Sequence, residues 1–230
     1  MQFHQLFQEW KEEYDMNIFI KDGIVDTKQY KHILFILREM NTRENIDLRE
    51  YLQSGGYYHT WNNITRWTQA LIDKDIHYPK DITNNQRKHY LSQIAIINLN
   101  KAGGYSKTNG KKLLKIVQTQ YHYIYEEIYM CDPDIIICCG FSSHDCPSIA
   151  SLLKQYILPY SDEWKTIPSS INNNWHYYNT YFNNKTILVI SFVHPCLRHL
   201  NNKQGHDNLF KPLYEDIVMI SKELYKKRIM

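Results

Sequence analysis

Cysteine is scarce in this 230-residue chain, and so are the spacings that would give it a metal-binding role. The five cysteines are odd in number, and no two form a CxxC pair. Cys131, Cys138, Cys139 and Cys146 are the one set a cluster would draw on. Cys138 and Cys139 lie in an apolar run that reads as a strand, where neighbours point to opposite faces and cannot readily share a metal. No metal and no cofactor is therefore expected. Also missing is any apolar run long enough to span a membrane. The N-terminal residues MQFHQLFQEWKEEYD are interrupted by charge throughout, unlike a signal peptide. Phe3, Leu6, Phe7, Trp10 and Tyr14 instead follow helical spacing as a core-facing stripe. These absences set the expectation of a cytoplasmic protein with no membrane partner, acting as a monomer. Repeats and low-complexity linkers are lacking too, so residues 1–230 read as a single domain large enough for a proper core.

What is present is a globular composition, 43% hydrophobic and 22% charged, with a formal net charge of +3. Its distribution is uneven. Lys80, Arg87, Lys88, Lys101, Lys107, Lys111, Lys112 and Lys115 face a single acid, Asp81, in that stretch, which makes it +7 and leaves −4 for the rest. A basic strip around the loop KAGGYSKTNGKK suits a polyanion such as DNA, and equally an ordinary solvated face.

Four apolar runs, residues 33–37, 94–97, 135–139 and 186–192, have the look of buried parallel strands. Leu113, Val117, Tyr121, Ile124 and Ile128 mark one helix; Leu209, Leu213, Ile217, Ile220 and Leu224 mark another near the C-terminus. Weaker helical patterns cover 43–53 and 60–73, and residues 160–184 read as an irregular excursion or hairpin. The fold expected is α/β, a three-layer α/β/α arrangement around a central, mostly parallel four-stranded sheet.

Open α/β sheets bind ligands beyond the carboxyl ends of their strands. The first run leads into Arg38, Glu39, Met40 and Asn41 without a glycine or proline to announce a turn. The second ends in Asn98, Leu99, Asn100 and Lys101. The third is followed by Gly140 and Phe141, and the fourth by Val193, His194 and Pro195. A carboxylate, several amides and a histidine thus arrive at one rim.

At these strand ends the chain resembles the uracil-DNA glycosylase superfamily. SFVHPCLRHL is similar to its His-Pro-Ser motif, with Cys196 at the serine position. EMNT can be laid over Gly-Met-Asn-Pro, which puts Asn41 at the water-orienting position of the asparagine-type branches. IAIINLN resembles the strand whose asparagine reads the base edge, here Asn98, and DPDIIICCG resembles the third strand with its glycine. The likeness runs in order from residue 33 to 199. Glu39 replaces the first glycine and Thr42 the proline, and GQDPYH with its tyrosine barrier is absent. The resemblance therefore implies a divergent glycosylase, with a modified base at least as suitable as uracil. Relatives acting on bulky modified cytosines of phage DNA would make it a defence protein.

Hydrolysis of an N-glycosidic bond needs a donor for the departing base anion and a group that holds water beneath the sugar. His194 is the expected donor. Asn41, by resemblance, or Glu39, by chemistry, handles the water. A flipped base needs a stacking partner, for which Tyr57, Tyr58 and Trp61 are available, and Asn98 for its edge. Leu197 would fill the vacated stack, while Lys101, Arg198 and His199 would hold phosphates. Each assignment has a plainer rival. Asn41 with Glu44 has capping-box spacing, Arg38 and Glu39 suit an ion pair, Asn98 can serve the strand end, and the tyrosines can simply pack. With no lysine nucleophile in these motifs, the expected enzyme is monofunctional and leaves an abasic site. The alternatives are a non-catalytic nucleic-acid-binding module of the same fold, a uracil-excising repair glycosylase, and a hydrolase of small nucleosides.

Overall fold

The computed structural model describes residues 2–57, 59–104, 108–169, 175–196 and 206–229, with side chains of the last segment described for 211–222. In chain order the elements are α1 (Phe3–Glu13), β1 (Ile20–Lys21), β2 (Gly23–Ile24), β3 (Ile33–Glu39), β4 (Ile46–Asp47), α2 (Leu48–Gln53), α3 (His59–Asp73), α4 (Asn84–Leu91), β5 (Ile94–Asn100), α5 (Gly110–Cys131), β6 (Ile135–Cys139), α6 (Ile149–Leu152), β7 (Lys165–Ile167), β8 (Trp175–Phe182), β9 (Lys185–Phe192) and α7 (His206–Ile229). A π-helical turn, Leu153–Ile157, continues α6.

The main sheet runs β2-β5-β3-β6-β9-β8-β7. Its four middle strands are the four apolar runs of the sequence, mutually parallel. The expectation of a four-stranded, mostly parallel sheet is nevertheless corrected. The sheet has seven strands and is mixed, because β2, β8 and β7 each pair antiparallel with a neighbour. Two of the added strands are only two and three residues long, too short to leave an apolar pattern. The third, β8, folds back on β9 through Asn183 and Asn184, both at positive φ, which asparagine tolerates better than most residues. Within residues 160–184, expected as an irregular excursion or hairpin, β7 and β8 pair antiparallel. β1 and β4 form a separate two-stranded parallel pair.

Alternation along the strands divides the core in two. Ile33, Phe35 and Leu37 pack with residues of α2, α3 and α7, whereas Leu34 and Ile36 pack with residues of α1, α5 and α6. Helices thus cover both faces, and the strands, apolar on both sides, are continuous hydrophobic runs for that reason. Cys138 and Cys139 fall on opposite faces, as adjacent strand residues must.

The helix expected over 43–53 is shorter, beginning at Leu48 with Asp47 as its N-cap. Asn41 therefore caps nothing there; it is Thr42 whose hydroxyl accepts the Glu44 amide. α4 was not anticipated, although Thr83 and Gln86 close a capping box at its start. In α5 the predicted stripe bends at Gln120, which has non-helical φ and accepts a hydrogen bond from the Trp10 indole. Tyr121 is consequently turned outward, and Gln120 takes its place on the buried face. Among the described residues, no helix is long and apolar enough to cross a membrane.

Candidate functional site

The parallel register aligns the carboxyl ends of β5, β3, β6 and β9 along one rim. Glu39 lies directly across from Asn100. The Asn100 amide donates to Glu39 Oε2 at 2.9 Å and to the Gly103 carbonyl at 3.1 Å, while its Oδ1 accepts the Ala102 N–H. Two glycines allow the loop after β5 to close onto the loop after β3. A Cβ at Gly103, already at φ +72°, would lie 2.6 Å from the Thr42 carbonyl oxygen, and one at Gly104 would overlap the Glu39 carboxyl. Glu39 is half-buried and held by an amide, an arrangement that keeps one carboxylate oxygen engaged. Asn41, two residues on, is exposed.

His194 follows β9 on the far side of β6. Its Nδ1 accepts the Cys196 N–H at 3.1 Å, so the ring proton of the neutral form belongs on Nε2, where it can be donated. Burial, reinforced by the Arg38 guanidinium, pulls the imidazole down to about 4 from its usual 6.5. At neutral pH the ring is an uncharged donor. Strands in a sheet lie about 4.8 Å apart, so the ends of β3 and β9 are separated by about 10 Å across β6. Between them β6 stops at Cys139, and Gly140 turns away at φ +153°, where a Cβ would sit 3.2 Å from Arg38 Nε.

Arg38 does not pair with Glu39, because consecutive strand residues leave opposite faces. Its Nη2 donates instead to the Phe141 carbonyl at 2.5 Å. Phe141, partly exposed, stacks on the buried Trp175 with ring planes 15° apart.

Three expected contacts are corrected. Lys101 is wholly buried, its ammonium held by Asp22 and by Glu127 Oε2 at 2.6 Å, and it lies over the Trp10 ring. An ammonium enclosed by two carboxylates cannot also hold a DNA phosphate. Asn98 is 1% exposed. Its backbone N–H and its Nδ2 both donate to Asp22 Oδ2, at 2.7 and 3.1 Å, so it serves the interior rather than a base edge at the rim. Trp61, 4% exposed, packs in the core beneath Gly56 and edge-on to Tyr51, and cannot present a face for stacking. Tyr57 is largely exposed. Tyr58, Leu197, Arg198 and His199 lie outside the described residues.

The basic strip is thinned in the same way. Arg87 is spent on the Gly55 and Ile82 carbonyls and on Asn62, whereas Lys80, Lys88, Lys111, Lys112 and Lys115 remain exposed.

The residues that sequence reasoning missed are Asp22, Glu127 and Asn100. Burial, with Asp22 beside it, pushes the Glu127 carboxyl well above its usual range despite the opposing Lys101. A signal for Glu127 did exist, since it interrupts the apolar stripe Ile124, Ile128 and Cys131 of α5. Asn100 shares the face of Asn98 two residues earlier, and only the register with β3 distinguishes the two. Among the described residues, no group of three or more His, Cys, Asp or Glu side chains is placed to hold a metal.

Comparison of the chain with protein-family models, with curated proteins and with solved structures finds no match to any of the three.

Proposed function

We propose that the rim hydrolyses the N-glycosidic bond of a flipped-out base in DNA, leaving an abasic site without cutting the strand. The observation that carries this reading is the placement, at the ends of β9 and β3 on either side of β6, of an uncharged His194 whose Nδ1 is occupied by the Cys196 N–H and of the Glu39 carboxylate held by Asn100. Glu39 accepts a proton from water as it attacks the sugar carbon. The C–N bonding pair leaves with the base, and His194 Nε2–H stabilises the negative charge that develops on the base oxygen. A neutral imidazole suits this role, as it donates a hydrogen bond without needing to lose charge afterwards. The departures at Glu39 and Thr42 from the asparagine-type motif support a modified base over uracil, and with it a role in defence against phage carrying hypermodified cytosine. The exposed lysines at the start of α5 would meet the phosphate backbone.

One observation favours a second reading. With Asn98 bound to Asp22, no base-edge reader occupies the position that the resemblance assigns, which suits a non-catalytic DNA-binding module of the same fold. Incubation with DNAs bearing uracil, damaged bases or hypermodified bases, followed by mass spectrometry of released base and abasic sites, separates the readings. The glycosylase reading expects release that is lost in Glu39→Gln and His194→Ala while DNA affinity persists. Binding without release from any of these DNAs supports the module. Release from free nucleosides with no dependence on polymer or salt would point to a small-molecule hydrolase.

A further inference from the structure

We propose that Asn63 of α3 is a positioning residue that fixes the tautomer of His194 by holding the Pro195 carbonyl. The turn after β9 has few polar handles, because proline contributes no N–H. α3 grips two of those that remain. Asn63 Nδ2 donates to the Pro195 carbonyl at 2.7 Å, and the Thr60 hydroxyl, three residues earlier on the same helical face, meets Cys196 Sγ.

The peptide bond carries the effect across to the histidine. The Pro195 carbonyl and the Cys196 N–H belong to one planar trans unit and point in opposite directions. Turning the carbonyl toward α3 therefore turns the N–H away from it, and there it meets His194 Nδ1. With Nδ1 occupied as an acceptor, the proton of the neutral ring stays on Nε2.

The orientation of the Asn63 amide is itself determined by its surroundings. Arg66 Nη1 donates to Asn63 Oδ1 at 2.9 Å, and a guanidinium has no acceptor to offer. The oxygen must face Arg66, which leaves the NH₂ facing Pro195. Arg66 is anchored in turn, its Nε donating to the Pro79 carbonyl at 2.9 Å and its Nη2 to that of Lys80 at 2.5 Å, with the guanidinium over the Tyr78 ring. The chain of constraint runs from residues 78–80 through Arg66 and Asn63 to His194. Around the imidazole, the charged group reaching it from across β6 is Arg38 of β3, and the nearby titratable group on its own turn is the Cys196 thiol.

The catalytic consequence rests on the hydrolytic reading above, whereas the tautomer does not. The test uses the full chain labelled with ¹⁵N-histidine, with His194 assigned through His194→Gln. The wild type is expected to show a bare Nδ1 and a protonated Nε2 across neutral pH; a wild-type Nδ1–H tautomer overturns the proposal outright. Asn63→Ala removes the donor. Asn63→Asp keeps an acceptor for Arg66 and sets an oxygen against the Pro195 carbonyl. In both variants the His194 signals should move toward mixed tautomers, and the titration midpoint should rise as Nδ1 is freed from the Cys196 N–H, while burial and Arg38 continue to hold it below the free imidazole. Unchanged signals and midpoint in the variants sink the idea. Should Asn63→Ala not fold, Asn63→Asp decides, since it retains the Arg66 contact. On a released base, kcat should fall about tenfold with KM held. A wild type that releases no base from any DNA refutes the hydrolytic reading and leaves the tautomer measurement to decide this one.

Discussion

Strand β5 ends in two polar groups that share a few residues of chain and little else. In the first, Asn98 and Lys101 both reach Asp22, and Lys101 also meets Glu127, with every charged group sealed from water. In the second, Asn100 turns to the half-buried Glu39 at the rim, with His194 across β6. The buried group uses its charges on itself. At the rim, one Glu39 oxygen is held by Asn100, and the neutral His194, with its Nδ1 occupied by the Cys196 N–H, carries its proton on Nε2. What separates the two groups is burial: the charges of the first are met wholly inside the core, whereas the carboxylate of the second stands half-buried at a strand end.

Breaking the buried group should have the largest effect. Lys101→Met strands two carboxylates in the core and should destabilise the fold by about 3–5 kcal/mol in urea titrations. A loss below about 1 kcal/mol would show that water reaches the triad. The rim should respond in activity instead. Glu39→Gln preserves the acceptor for Asn100 and removes the base, so release of base should fall about a thousandfold with the urea midpoint little changed. Retained activity in that variant would transfer the water-handling role to Asn41.

Acid and alkali should separate the two groups by sign. His194 binds its proton at about 4 in the folded state and near 6.5 when unfolded, so its contribution is full above pH 6.5 and lost as pH falls toward 4. That loss should amount to about 2 kcal/mol, reduced by the ring's partial exposure, and should vanish in His194→Gln. Glu127 works the other way, its carboxyl being raised. Its contribution is present below the ordinary carboxylate range and is lost as pH rises through its folded value, a slope that Glu127→Gln should flatten. Equal slopes in wild type and variants would unseat the comparison. The smallest effect belongs to Asn41→Ala, where an exposed side chain should cost no more than about 0.5 kcal/mol of stability.

The parallel centre of the sheet was legible because its strands are buried on both faces and therefore apolar without interruption. Ile33, Ile94, Ile135 and Thr186 each stand at or beside the first residue of a real strand. The flanking strands were not legible, since a two-residue strand such as Gly23–Ile24 carries no period. At the rim, the alternation of β3 separates Arg38 from Glu39, a fact available from periodicity alone. The fate of Lys101 was not available in that way. Its partners lie far away in sequence, Asp22 on one side and Glu127 on the other, and a lysine in a glycine-bearing loop looks exposed until they are seen. Asn98 and Asn100 share a face, and which of them reaches the rim depends on how far β3 extends beside them.

The contact between Glu39 and Asn100 joins residues 61 positions apart, and it forms only where β3 and β5 lie in register with the glycine loop closed over them. No local segment can make it. During folding, the carboxylate gains its amide partner only after the long-range parallel pairing is complete, so a collapsed intermediate with native helices would still lack a finished rim. Recovery of function on refolding should accordingly trail the return of helical signal, and the Glu39–Asn100 contact would mark the arrival of the native topology.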